Sequence, residues 1–367
     1  MKNIIQVGSV TAEFGGEVGG ISTHLIQLSK ELSKKKYQVT ILSDVKNDYT
    51  TDYFNVVGIK KRRRILKTFI NSPFKFVSQC LFRGRLGIKQ LIVHYEISKF
   101  NVDDTVIHVH SLHNELADQV DLKYKKCYSD HGFWQKDKFN AEDIKAKLNN
   151  SHVIISVSSY ARDIFIKTFG EKYRKKSKVI YNPVTNCENK KDIKLKRNRE
   201  FVFFNGYSES IKRKGFLDFC KLAKDYPNEK FVAVADKDSE KYAEKHKISN
   251  LTVYGRLSLD EIFKLYSNSK LMVLPSKSES FGIVYIESAM HGVPFVGFSP
   301  VVKEFNKYSE LTLGYEYDPN VNNYIELKNI FELALKADLD AERMQQVVRS
   351  CFSWEHLIEN YTAAYES

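Results

Sequence analysis

Apolar residues occur along this chain in two alternating rhythms. Apolar-rich blocks, most of them continuous, fall at residues 4–7, 38–42, 105–109, 153–157 and 179–181, and a second series follows at 201–204, 231–235, 251–253, 271–274 and 294–296. A block apolar at every position, rather than every other one, predicts a parallel strand covered on both faces. Between the blocks, residues 21–34, 216–224, 259–267 and 283–291 carry apolar residues three or four apart, the spacing of an amphipathic helix. Strand and helix in regular succession predict an α/β fold built on doubly wound parallel sheets.

The succession is interrupted once. Residues 186–199 (NCENKKDIKLKRNR) are polar and charged with no apolar rhythm, and they read as a linker. Two Rossmann-like units are therefore expected, at 1–185 and 200–350, and 367 residues suit two domains that each bury a core. In the last stretch, 351–367, Trp354, Leu357, Ile358 and Tyr361 fall at helical spacing.

Composition and charge narrow the setting. The five cysteines (Cys80, Cys127, Cys187, Cys220 and Cys351) are scattered and form no CxxC pair, which suits a reducing compartment. The short apolar start MKNIIQVGSV runs at once into Glu13, Gly15, Gly16 and Glu17, so it reads as a buried strand rather than a secretion signal. No stretch approaches the ~20 apolar residues that cross a bilayer, and a cytoplasmic chain is expected. The net charge of +12 is uneven: Tyr53–Tyr95 contains no Asp or Glu, while Lys60, Lys61, Arg62, Arg63 and Arg64 stand together inside it. Further cations follow as far as Lys89. After Pro73, Phe74, Val77 and Leu81 share one helical face, with Lys75 and Arg83 on a neighbouring one. Apolar residues bracketed by cations suit an interfacial helix on an anionic membrane, here the inner face of the plasma membrane. An amphipathic helix lying on the first sheet has the same pattern. A nucleic-acid partner is disfavoured, because no reader motif accompanies the charge.

The chemistry concentrates in LPSKSESFGIVYIESAMHGVPFV, residues 274–296. A buried strand ends at Pro275, a polar loop follows, and a helix starts near Phe281–Ile283. Ligands of such sheets bind beyond the carboxyl ends of the strands. First-turn amides at Gly282, Ile283 and Val284 offer an anion site at the positive end of the helix dipole. Two carboxylates, Glu279 and Glu287, flank that turn and suit the hydroxyls of a sugar or ribose. Taken singly, each is also explained as a charge favourable at a helix start or on a solvated face.

Seven residues separate Glu279 from Glu287, and the whole segment resembles the E-x7-E signature of the retaining glycosyltransferases of family 4, which have the GT-B fold: two Rossmann-like domains facing across a cleft. Gly19 and Gly20 before the first long helix, ISVSSYARD at 155–163, NGYSESIKRKGF at 205–216 and VYGRLSLDEIFKLYSNSKLMVLPS at 253–276 resemble the family's other segments in the same order. The resemblance implies that Lys214, with Gly215 beside it, neutralises the donor diphosphate, that Glu287 holds the ribose hydroxyls, and that Glu279 meets the donor sugar. It implies that backbone groups of Phe281, Gly282, Ile283 and Val284 complete that pocket, that Gly19 and Gly20 add amides to the diphosphate, and that His131 lies near the reacting carbon. It also implies that the C-terminal helix returns to the first domain.

One position departs from the pattern. Where the family places an arginine after the glycine, this chain has Gly206–Tyr207, and Arg213 is the candidate replacement for the phosphate. Arg256, after Gly255 at another strand end, is a candidate for the base pocket. His108 and His110 alternate on a strand, a pattern more often structural, and His24 lies one turn into the helix after Gly20, where it could face the cleft; none of the three is assigned a role.

The implied activity is transfer of a sugar from a nucleoside-diphosphate donor, a UDP-sugar being favoured, to a hydroxyl of a lipid-linked saccharide in surface polysaccharide or glycolipid assembly. The nucleotide-sugar is a substrate; no cofactor is expected, nor a metal ion, since no Asp-x-Asp is assigned to a strand end. A sugar phosphorylase or a nucleotide-sugar epimerase shares the fold and remains an alternative. A nicotinamide oxidoreductase does not fit, because the first loop lacks GxGxxG.

Overall fold

The computed structural model describes residues 2–16, 20–62, 88–111, 123–132, 141–184, 199–207 and 209–367. The chain divides into two compact units, one of Met1–Tyr181 with Leu357–Ser367 and the other of Asn182–His356.

In the first unit the strands are β1 (Asn3–Val7), β2 (Gln38–Ser43), β3 (Tyr49–Thr50), β4 (Phe54–Gly58), β5 (Thr105–His110), β6 (Lys125–Asp130), β7 (Val153–Ser156) and β8 (Ser177–Val179). They form a sheet in the order β3-β4-β2-β1-β5-β6-β7-β8, parallel throughout except for β3 against β4 at one edge. The helices are α1 (Gly20–Lys34), α2 (Ile88–Ser98), α3 (Ala141–Asn149) and α4 (Ser159–Phe169). α4 starts where the Ser158 hydroxyl accepts the Ala161 amide at 2.9 Å, a polar stop to the β7 ladder. Ile4, Ile5, Val7, Ile107 and Val109 are fully enclosed, which is why β1 and β5 read as largely apolar blocks, although Gln6 and His108 are buried among them.

The second unit holds β9 (Phe201–Asn205), β10 (Lys230–Val234), β11 (Leu251–Tyr254), β12 (Ser269–Leu274), β13 (Phe295–Phe298) and β14 (Gly314–Tyr317). Its sheet is parallel in the order β11-β10-β9-β12-β13-β14. Its helices are α5 (Phe216–Asp225), α6 (Lys237–Lys245), α7 (Leu259–Asn268), α8 (Ile283–Met290), α9 (Ser299–Ser309), α10 (Tyr324–Lys336) and α11 (Ala341–Phe352). Capping boxes set the starts of α7 (Ser258 with Glu261) and α10 (Asn323 with Glu326). Strand order reverses between β9 and β12, and in sheets of this kind ligands bind beyond the carboxyl ends of the strands at such a point.

The last helix, α12 (Trp354–Glu366), begins in the second unit and from Leu357 belongs to the first. The return thus starts later than 351, since α11 stays with the second unit. Leu357, Ile358, Tyr361 and Tyr365 are buried. Two of them also hydrogen-bond buried imidazoles: Tyr361 with His24 Nε2 at 3.1 Å, and Tyr365 with His108 Nδ1 at 2.8 Å. The expected linker lies outside the described residues except for Arg199, which already serves the second unit. Its guanidinium donates to the carbonyls of Gly292 (2.5 Å) and His291 (3.2 Å) at the end of α8.

Several strands escape the apolar-block pattern. β6 has the sequence KKCYSD, yet Lys126, Ser129 and Asp130 are buried because β5 and β7 flank it. β14 alternates and closes one edge of its sheet. β8 occupies 177–179 rather than 179–181. The window 60–89 is described only at its ends. Lys60, Lys61 and Arg62 are engaged in ion pairs, Lys60 with Asp44 at 3.7 Å, Lys61 with Asp48 at 2.8 Å, and Arg62 with Asp48 at 2.6 Å and Glu96 at 2.5 Å. The helix expected around Phe74, Val77 and Leu81 lies outside the described residues. Among the described residues no helix is long and apolar enough to cross a membrane.

Candidate active site

The loop after β9 and the loop after β12 meet at the point where strand order reverses. The first ends in Gly215, whose φ of 82° is left-handed and whose Cβ would stand 2.3 Å from the Pro275 carbonyl oxygen. Only glycine lets the start of α5 lie this close to the end of β12. That approach brings Lys214 to the second loop. Its ammonium lies 2.6 Å from Glu279 Oε1, and both side chains are largely buried. The Ser276 hydroxyl donates to the same oxygen at 2.8 Å, and Arg213 Nη1 lies 3.6 Å from it. All these contacts fall on Oε1, and nothing among the described residues hydrogen-bonds Oε2.

Arg213 is held in place rather than extended into solvent. Its guanidinium donates to Glu209 Oε2 at 2.7 Å and to the Ser278 carbonyl at 3.1 Å, while its own carbonyl accepts the Lys277 amide at 2.8 Å. The loop is braced from β10 as well: Asp236 Oδ2 accepts the Ser210 amide at 3.1 Å, and the Ser210 hydroxyl donates to the Gly206 carbonyl. This Asp236 corrects one expectation. An Asp-x-Asp does follow a strand here, Asp236-Lys237-Asp238 after β10. Its first carboxylate is committed to capping α6, taking the Ser239 amide at 3.0 Å and the Ser239 hydroxyl at 2.8 Å. Among the described residues no group of three or more His, Cys, Asp or Glu side chains is arranged to hold a metal ion.

Helix α8 leaves the second loop. Its N-cap Gly282 has φ 73° and supplies no capping side chain to the first-turn amides. A Cβ at Gly282 would lie 2.5 Å from the Tyr285 ring, which is pinned beneath it by hydrogen bonds to the Leu274 carbonyl (3.0 Å) and from the Phe298 amide (3.1 Å). Phe281 is buried and Ile283 and Val284 are partly exposed beside the cap.

Glu287 lies one turn further along. Buried Tyr266 of α7 donates to its Oε2 at 3.1 Å and stands 3.2 Å from the Val284 carbonyl, while Asn205 at the end of β9 donates to the Tyr266 hydroxyl at 2.9 Å. Burial pushes the Glu287 carboxyl up to about 7, with the Tyr266 hydrogen bond acting the other way. No partner occupies Oε1 among the described residues. Arg256 is exposed just beyond β11, the edge strand, and no described contact links it to Glu279 or Glu287.

In the first unit, Gly19 lies outside the described residues and Gly20 is the first residue of α1. Nothing described lies within 4 Å of a Cβ placed at Gly20. His131 follows β6 and packs within a cluster of imidazoles. Its ring lies 5.9 Å from His110, nearly parallel, and 5.8 Å from His24, edge-on. Burial lowers the His131 pKa to about 4 and that of His108 to about 3, and drives His24 and His110 well below the usual value, so all four are neutral at pH 7. His110 Nε2 meets Gln6 Oε1 at 2.7 Å, and His108 Nε2 meets Ser129 at 2.8 Å. His131 Nε2 and His110 Nδ1 are buried without a hydrogen-bond partner among the described residues. Tyr266 and Asn205 were not singled out in the sequence. The only signal for them was their place, one at the last turn of the helix before the signature strand and the other at the end of β9.

Comparison with known proteins follows the same division. Residues 18–185 match the model of Glycosyltransferase Family 4, and residues 187–349 match that of Glycosyl transferases group 1. The chain belongs to the family 4 glycosyltransferases and has the GT-B fold. An uncharacterized glycosyltransferase of Methanocaldococcus jannaschii is 25% identical to it, over 95% of each chain. The phosphatidylinositol N-acetylglucosaminyltransferase gpi3 subunit of Schizosaccharomyces pombe is 22% identical, over 96% of this chain and 79% of that one. Among solved structures, a mutant of S. aureus TarM in complex with fondaparinux, alpha-GlcNAc-glycerol and UDP superposes with a TM-score of 0.69 at 13% identity, covering 100% of both chains. This glycosyltransferase therefore shares its architecture with a protein crystallised with UDP.

Proposed function

We propose that this glycosyltransferase takes a sugar from a nucleoside-diphosphate donor, a UDP-sugar in the favoured case, and attaches it with retention to a hydroxyl of a lipid-linked saccharide. The observation that carries the reading is the pair Glu279 and Glu287. Each carboxylate has one oxygen fixed by its own chain and one without a hydrogen-bond partner among the described residues, on either side of a helix start whose N-cap is glycine, with Lys214 beside the first. Two open carboxylate oxygens flanking an anion site match a ligand with hydroxyls at both ends and phosphate in the middle. Glu287 then takes the ribose diol, the first turn of α8 with Lys214 and Arg213 takes the diphosphate, and Glu279 takes the transferred sugar. The family resemblance assigns His131 to the reacting end of that sugar, as the neutral imidazole its burial imposes. It assigns Gly19 and Gly20 to the diphosphate and Arg256 to the base.

As the bond from the sugar C1 to the diphosphate oxygen breaks, negative charge grows on the leaving group, where Lys214 and the α8 dipole stabilise it without a metal ion. The acceptor oxygen bonds to C1 on the face the leaving group vacates, and its proton passes to the departing phosphate oxygen. No separate base is needed. A relative named for glycosyl transfer to phosphatidylinositol supports a lipid acceptor, and the cation-rich window 60–89 supports docking at an anionic surface, on the inner face of the plasma membrane.

Two measurements test the reading. Thermal shift against UDP-, GDP-, ADP- and CMP-sugars should single out one nucleotide, because binding to the native state raises the melting temperature. Glu287→Ala should then weaken that nucleoside diphosphate by roughly tenfold or more, a charged hydrogen bond contributing ~1.5–3 kcal/mol. An unchanged dissociation constant would remove Glu287 from the ribose.

A further inference from the structure

The buried polar relay behind Glu287 has no role in the transfer chemistry above. Asn205 Nδ2 donates to the Tyr266 hydroxyl at 2.9 Å, and that hydroxyl donates its only proton toward Glu287 Oε2 at 3.1 Å, with the Val284 carbonyl 3.2 Å away as the competing acceptor. Tyr266 is fully buried, and its ring is held on two sides, edge-on to Phe203 at 5.1 Å and stacked on His291 at 5.4 Å. His291 is tied to the same helix, its Nδ1 lying 2.8 Å from the Glu287 carbonyl.

A tyrosine placed here to fill space needs no hydroxyl. A buried hydroxyl without partners costs stability, and this one makes three contacts, two of them to the strand and the side chain that border the candidate ribose site. The Asn205 amide occupies the hydroxyl's acceptor position, so the proton is directed away from β9 and toward α8. One oxygen of Glu287 is thereby fixed, and the free rotation of the carboxylate about its last bond is restricted with Oε1 outward.

We propose that Tyr266 and Asn205 are positioning residues that orient the Glu287 carboxylate for a vicinal diol, and so make the site selective for ribonucleotides over 2′-deoxyribonucleotides. The inference rests on the assignment of Glu287 to the ribose. Without the tyrosine hydroxyl, Glu287 keeps its place on α8 but loses the bond that selects one rotamer. A diol, whose two hydroxyls must donate together to the outward Oε1, is penalised most by that loss. A ligand with one hydroxyl is penalised least, since it can follow the carboxylate as it turns. Tyr266→Phe keeps the ring and both of its aromatic contacts, so the packing of α7 against α8 is preserved.

The test measures dissociation constants of UDP, GDP and ADP, and of their 2′-deoxy forms, for wild type, Glu287→Ala, Tyr266→Phe and Asn205→Ala. Wild type should bind the preferred ribonucleotide roughly tenfold tighter than its 2′-deoxy form, and Glu287→Ala should lose that preference. Tyr266→Phe should bring the ratio down to about two by weakening the ribonucleotide selectively, and Asn205→Ala should give an intermediate ratio. With saturating acceptor and varied donor sugar, Tyr266→Phe should raise KM for the donor more than it lowers kcat. A full tenfold preference in Tyr266→Phe, with normal melting, overturns the proposal. Should that variant not fold, the same preference retained in Asn205→Ala overturns it. If wild type has no preference, or Glu287→Ala keeps it, the ribose assignment itself fails, an outcome distinct from the failure of the relay.

Discussion

Lys214 and Glu279 stand 65 positions apart in the chain and 2.6 Å apart in space, joined across the reversal point of the second sheet. Their ion pair is largely buried, so its members depend on one another. Lys214→Met should destabilise the protein by about 2–3 kcal/mol, somewhat less than for an uncompensated buried charge, because Ser276 and Arg213 remain near Glu279. Adding Glu279→Gln should recover part of that loss. Urea denaturation of the single and double variants measures both effects, and strict additivity of the two substitutions would contradict the coupling. Turnover of Lys214→Met should fall more than donor KM rises, since the lost charge acts on the departing diphosphate.

Glu287 should make stability depend on pH in the direction opposite to most carboxylates. Its pKa is raised by burial from 4.5 to about 7, so between those values the folded chain holds a proton that the unfolded chain has released. Stability therefore falls as pH rises through that window, and the cost is fully present above 7. Glu287→Gln removes the cost. After allowing for the partial exposure of this side chain, it should stabilise by about 1–2 kcal/mol at pH 8 and by little at pH 4.5. An equal effect at both pH values would show that the carboxyl titrates normally.

The imidazole cluster of the first unit should act in the opposite sense. His108 and His131 have pKa values lowered by burial to about 3 and about 4, from 6.5. Below pH 6.5 the unfolded chain takes up protons that the folded chain refuses. The stability is thus complete above 6.5 and is lost as pH falls toward 3, by about 1.4 kcal/mol per pH unit for each such histidine. His108→Gln should flatten the acid limb of the stability curve measured by urea denaturation from pH 7 to pH 4. An unaltered slope would exclude His108 from the acid response.

Tyr365→Phe should loosen the C-terminal helix without disturbing the nucleotide site. It leaves the His108 Nδ1 position unpaired in a buried setting, at a cost of about 1–2 kcal/mol. Hydrogen exchange should report faster opening across 357–367, with nucleotide affinity unchanged.

The basic window is tested at Arg63 and Arg64, because Lys60, Lys61 and Arg62 are already paired with acidic neighbours. Arg63→Glu with Arg64→Glu should abolish sedimentation with phosphatidylserine vesicles while leaving nucleotide binding intact, each cation near such a surface contributing ~1 kcal/mol. Wild-type binding should weaken as salt rises and be slight on neutral vesicles. Indifference of the wild type to anionic vesicles would point to a water-soluble acceptor.

Local pattern alone determined the alternation of strands and helices, the two-unit division and the loop from Pro275 to Gly282. Each of these follows from enclosed apolar blocks, polar breaks and glycines needed for left-handed turns. β6 was hidden because its burial comes from β5 and β7, not from its own polar residues. β14 was hidden because an edge strand needs only alternate apolar positions. The E-x7-E spacing placed Glu279 and Glu287 at one helix start, but it carried no information on what holds them. Tertiary structure alone decided that Lys214 meets Glu279 and that Tyr266 bonds Glu287. It also decided that the alternating histidines of β5 receive the tyrosines of the last helix. These contacts join residues far apart in sequence, and their partners are chosen by strand order and helix packing, which no local period encodes.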